Sequence, residues 1–239
     1  MTSTTVPSTP SADRAADRTA GRAAAARAGA VPSRAWAVTG AVAGAVGIAA
    51  IQLSLALSAD WQSTAGDPEA VVASYAGKTG TLLAFHVATM LLVPLLLVFA
   101  AGLQRRLAVQ APAHSLLPAV AASGLGLVAV AALLGAGLDT QFIFGFADAE
   151  NLVAESGAFY ADWVATIPWL WVGAGVSGVA LAVAALRHGA APRWIGVVGL
   201  VLGGITLLFG LSPLQYMAGF TGPLWLLVTG LGFALGDRR

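Results

Sequence analysis

The chain has no cysteine, which excludes disulfides, thiolate metal sites and cysteine nucleophiles. It is also short of charge. Only 10% of its 239 residues are charged against 58% hydrophobic, whereas a soluble globular domain carries about 25% charged residues. That shortage points to a polytopic membrane protein. Lysine is almost missing: of the 12 basic residues only Lys78 is not arginine. With the Ala, Gly, Val and Leu bias, this matches a GC-rich bacterial coding sequence. H-E-x-x-H, P-loop and dinucleotide fingerprints are absent, and the basic stretches are too small for a nucleic-acid partner. Finally, one long polar interval, residues 139–163, lacks positive charge altogether. It holds Asp139, Asp148, Glu150, Glu155 and Asp162 between two long apolar runs.

What is present in abundance is apolar sequence. A helix crosses a bilayer in about 20 residues, and six runs reach that length: 36–58, 81–103, 116–138, 166–186, 194–211 and 216–235. None contains Asp, Glu, Lys or Arg. In lipid each backbone N–H and C=O must be satisfied within its own segment, so the runs are expected to be helices and the fold an all-α, six-span membrane bundle. The flanks alternate in sign. Arg14 to Arg34 precede the first span, Asp60, Asp67 and Glu69 follow it, Arg105 and Arg106 follow the second, and the acidic interval follows the third. Arg187 and Arg193 follow the fourth span, and Arg238 and Arg239 the sixth. All the basic residues except Lys78 thus fall on one side, and the positive-inside rule places both termini in the cytoplasm.

Residues 1–35, rich in Ser, Thr, Pro, Ala and Arg, are too poor in large apolar side chains to fold alone and are expected to form a disordered cytoplasmic tail. Residues 36–235 form the membrane domain, and 236–239 a short cytoplasmic C-terminus. Pro94 and Pro223 lie inside spans, where each removes a helix hydrogen bond, and Pro168 lies in the first turn of the fourth span. Gly40 with Gly44, and Gly199 with Gly203, have the four-residue spacing that permits close helix contact. Trp36, Trp163, Trp169, Trp171, Trp194 and Tyr216 stand near span ends, as an aromatic belt would place them.

The first two outer loops share a pattern. Asp60-Trp61-Gln62 matches Asp139-Thr140-Gln141, and Asp67-Pro68-Glu69-Ala70-Val71-Val72-Ala73 matches Asp148-Ala149-Glu150-Asn151-Leu152-Val153-Ala154. Each block predicts a short interfacial helix, with Asp67 or Asp148 as N-cap and a carboxylate in the first turn.

Chemistry is expected where an ionisable group enters the membrane. His86 is the one such residue within the spans, roughly 8 Å below the outer boundary at 1.5 Å of rise per residue. Asp60 and Asp139 are the first carboxylates beyond spans one and three. Should Asp60, His86 and Asp139 converge, they would bind a ligand, hold a divalent metal with open positions, or form an acid/base group. Otherwise His86 bonds the backbone and the aspartates cap helices, and no cofactor is expected. Gly175-Val176-Ser177-Gly178 matches the G-x-S-G element of rhomboid proteases, but no histidine lies on a later helix to serve as its base. Bis-histidine haem ligation fails because only His86 lies within a span.

The basic-flanked first span ending in Asp60, the run from His86-Val87-Ala88-Thr89-Met90 to Gly102-Leu103-Gln104-Arg105-Arg106, and Pro168-Trp169 together resemble six-helix bacterial membrane proteins of the domain-of-unknown-function type. The resemblance implies a fold and no activity. The expected function is an integral plasma-membrane component without catalysis, accessory or sensory, binding a small ligand or a membrane or extracytoplasmic protein at its outer face. The alternatives are a small-solute transporter or channel, and a metal-dependent membrane hydrolase.

Overall fold

A computed structural model of the chain describes residues 34–148 and 152–236. The expected N-terminal tail up to Ser33, the last three residues, and the Ala149-Glu150-Asn151 part of the second loop motif lie outside the described residues. What is described is all-helical, with six helices long and apolar enough to cross a membrane. The chain is a multi-pass membrane protein.

In chain order the helices are α1 (Ala35–Leu57), α2 (Trp61–Thr64), α3 (Pro68–Ser74), α4 (Thr79–Gln110), α5 (Leu117–Gly135), α6 (Asp139–Ala147), α7 (Ala154–Thr166) and α8 (Val172–His188). They are completed by α9 (Arg193–Leu211) and α10 (Gln215–Gly236). Helices α1, α4, α5, α8 and α10 pack side to side around one core, with α9 laid against α8 and α10. More of α8 than of α9 is buried, so α9 is the peripheral helix and α8 the central one.

Small residues let these backbones approach. A Cβ at Gly44 would strike the backbone of Leu227 on α10, and one at Gly40 the ring of Phe99 on α4. Gly199 and Gly203, within a wider π-type turn of α9, face Gly178 of α8. Both glycine pairs read from the sequence therefore mark helix contacts.

The interval 139–163 departs furthest from expectation. It is largely two helices, α6 and α7, that prolong the third and fourth spans beyond the main bundle. Its apolar residues explain this, since Phe142 and Phe146 on α6, and Tyr160 and Val164 on α7, recur every four residues and bury one face each. They meet Tyr75, Leu57, Leu82 and Phe85 in a second core at this end of the molecule. Phe142 stacks on Tyr160, and Phe146 on Tyr75, both at 4.4 Å.

The first copy of the loop repeat forms a short helix. Asp67 caps α3, its Oδ1 accepting the Ala70 N–H at 2.9 Å, with Pro68 in the first turn. Asp148 ends α6, donating its N–H to Phe144 O and Gly145 O, and the next described helix opens at Ala154.

Pro168 is likewise not where a first-turn proline belongs. It sits at a break inside the fourth span, in a 3-10 turn from Ile167 to Trp169 between α7 and α8. Proline has no N–H for the carbonyl four residues earlier, and that carbonyl, Val164 O, accepts instead from Ser54 Oγ of α1 at 2.8 Å. Trp169 Nε1 in turn donates to Ser54 Oγ at 3.0 Å, and Trp171 Nε1 to Pro168 O at 3.0 Å. Trp169 and Trp171 are buried, so these two tryptophans plug the break and are no part of a belt.

Candidate functional site

The second core surrounds a charge. Asp139 opens α6 and is fully buried. A buried carboxylate is tolerated only when hydrogen-bonded, and both of its oxygens are engaged. Tyr160 of α7 donates its hydroxyl to Oδ1 at 2.8 Å, and His86 of α4 sets Nδ1 3.1 Å from Oδ2. A carboxylate only accepts, so its contact with Nδ1 calls for the tautomer with the proton on that nitrogen, and Nδ1–H donates to Asp139. The Asp139 carboxylate thereby fixes both the ring orientation and the tautomer of His86. Nε2 is left as an acceptor and has no protein partner among the described residues.

The fold places the three groups for separate reasons. His86 lies seven residues into α4, on the border between a buried face carrying Leu82, Phe85 and Thr89 and an exposed one carrying Leu83, Val87 and Met90. Its side chain is 29% exposed while that of Asp139 is at 0%. Tyr160 is held by stacking on Phe142, one turn along from Asp139. The chain reversal between α6 and α7 is what brings Tyr160 back to the carboxylate.

Two of the three residues singled out in the sequence thus converge, and the third does not. Asp60 is exposed and turned into its own loop. Its Oδ2 accepts from Ser63 Oγ at 3.0 Å and its Oδ1 from the Gln62 N–H at 3.3 Å, at the head of α2. Among the described residues no group of three or more His, Cys, Asp or Glu is placed to hold a metal ion. The set Asp60, His86 and Asp139 therefore does not assemble, because α1 ends at Leu57 and a short turn carries Asp60 away. Tyr160 takes the third place. The signal in the sequence was faint, one aromatic residue 21 positions beyond Asp139.

Ser177 is a packing residue. Its hydroxyl donates to Ala121 O at 2.7 Å and Gly173 O at 3.0 Å, it is fully buried, and it lies against Gly124 where α5 and α8 touch. Elsewhere at this end, the α2–α3 loop and α7 enclose a groove of about 400 Å³ whose charged walls are Asp67 and Asp162. No family model matches the chain, and no curated protein or solved structure matches it.

Proposed function

We propose that the protein is a bacterial plasma-membrane component with both termini in the cytoplasm, and that it works as a sensory or accessory element without a reaction of its own. In this reading α2, α3, α6 and α7 stand at the outer surface, with α3 lying along the interface. His86 recognises a small ligand, or a membrane or extracytoplasmic protein partner. One observation carries the reading: buried Asp139, braced by Tyr160, holds His86 by Nδ1 and presents Nε2 with nothing in the described protein to satisfy it. Such bracing is costly to build, since a buried carboxylate destabilises a fold unless it is fully bonded. A preset acceptor at the edge of the bundle gives it a use. The orientation rests on the arginine distribution.

The test is native mass spectrometry of the protein released from native nanodiscs. A small molecule or partner held by the wild type and absent from His86→Gln supports the reading. Turnover of a defined substrate by purified protein, lost in the same variant, would overturn it.

A transporter is the second reading, and the interruption of the fourth span favours it, because transporters place substrate sites at broken helices. A cavity of about 210 Å³ adjoins the break, lined by Leu170, Trp171, Val172 and Gln215. Against it, the freed Val164 carbonyl is already bonded to Ser54 and the break is packed with tryptophan. Substrate-dependent uptake in proteoliposomes separates the two.

A further inference from the structure

The direction in which His86 opens says more about what it binds. Along the surface of α4 its neighbours are Leu83 one turn before and Met90 one turn after, exposed by 53% and 37%, and Val87 beside it is exposed by 49%. The same stripe continues through Leu91, Leu97 and Val98. On a helix that spans a membrane, an exposed stripe of this kind is the face turned to lipid. The groove walled by Asp67 and Asp162 has no contribution from α4, so the exposed edge of the imidazole opens beside the hydrocarbon and not into that groove.

We infer that His86 takes its ligand sideways from the bilayer, and that the ligand is a membrane-dissolved amphiphile bearing a hydroxyl, an aliphatic alcohol or a phenol. The polarity follows from the tautomer: Asp139 Oδ2 holds the Nδ1 proton, so Nε2 offers a lone pair and selects a hydrogen-bond donor. The depth agrees, because His86 is about 10 Å along the axis from the start of α4 at 1.5 Å per residue, a level that a hydroxyl near the headgroups of an amphiphile reaches. The apolar neighbours Leu83, Val87 and Met90 then contact its chain. This inference rests on the role proposed for His86 and adds the class of ligand and its route.

The experiment uses the full chain, labelled with 15N-histidine, in phosphatidylcholine nanodiscs; the His86 signals are assigned by their loss in His86→Gln. Three probes are titrated: 4-dodecylphenol, which donates, its methyl ether, which does not, and 4-dodecylacetophenone, which only accepts. The Nε2 resonance is expected to move saturably with the phenol and to stay in place with the ether and the ketone. No movement, or equal movement with the ether, overturns the inference.

Asp139→Asn supplies an independent arm. Tyr160 donates to Oδ1, so the asparagine oxygen stays with Tyr160 and its NH₂ faces Nδ1. His86 is then forced into the opposite tautomer, with a proton on Nε2, and the ketone should become a ligand. An unchanged preference in a folded variant also overturns the inference, and if the variant does not fold the wild-type titration decides alone. Should a water-soluble molecule be retained through His86 while the phenol leaves its resonance unmoved, the lateral route is wrong and the outer-face reading stands. If nothing retained depends on His86 and the phenol is inert, both fall.

Discussion

Tyr160 and Asp139 lie 21 residues apart and meet at 2.8 Å, the phenol donating to a carboxylate that water does not reach. This bond satisfies Oδ1 and leaves Oδ2 for His86, so it sets which oxygen the histidine sees. Tyr160→Phe keeps the ring that stacks on Phe142 and removes only the donor. It should destabilise the protein by about 1–3 kcal/mol, the cost of leaving a buried acceptor unsatisfied. Equilibrium denaturation in detergent micelles measures it. A variant as stable as the wild type would mean that Asp139 Oδ1 is satisfied by another route.

The close approach of α5 and α8 makes a second prediction. A Cβ at Gly124 would collide with Gly173 O and Ser177 Oγ, whereas one at Gly126 would meet nothing within 4 Å. Gly124→Val should therefore cost about 1–3 kcal/mol or more through overpacking. Gly126→Ala should be neutral or stabilising by up to about 1 kcal/mol, because alanine is the better helix former. Thermal denaturation of the two variants side by side tests the contact, and equal behaviour would argue against it.

These cases show what the sequence made legible. The six spans were readable because bilayer thickness fixes a length and lipid forbids charge, and the observed helices differ from expectation mainly at their ends. The α6 and α7 extensions were hidden, since the spacing of Phe142, Phe146, Tyr160 and Val164 is spread among five carboxylates that suggest a loop. Asp60 and Asp139 look alike in the sequence, each the first carboxylate after a span. Their fates diverge because Asp139 begins a helix whose aromatic face packs against α7, while Asp60 follows a turn and caps four residues. Tyr160 could not be found, for its pairing depends on where a chain reversal returns it.

Orientation can be tested directly because the chain has no cysteine, so one introduced thiol reports alone. Ser63, within α2, and Gln110, at the far end of α4, are both exposed. In intact cells a membrane-impermeant maleimide should label Ser63→Cys, and label Gln110→Cys only after lysis. The reverse pattern would invert the proposed topology and place His86 near the cytoplasmic leaflet.

Tyr75 gives the last prediction, one of pH dependence. It lies between the α3 helix and α4, is 1% exposed, and its hydroxyl has no hydrogen-bond partner among the described residues. Burial first, and the nearby Asp162 carboxylate second, push its phenol well above the ordinary value. A group whose folded value is raised contributes stability that is complete below its unfolded value and lost as pH rises through the folded one. For a tyrosine the loss begins near pH 10, at about 1.4 kcal/mol per pH unit. Tyr75→Phe removes this dependence together with an unsatisfied buried hydroxyl. At pH 8 the variant should be as stable as the wild type, or more so by up to about 1 kcal/mol. At pH 11 its advantage should be larger, because the wild type alone loses stability as the unfolded Tyr75 ionises. Denaturation curves at the two pH values isolate this phenol by difference, and an advantage that does not grow with pH would show that the Tyr75 hydroxyl reaches solvent.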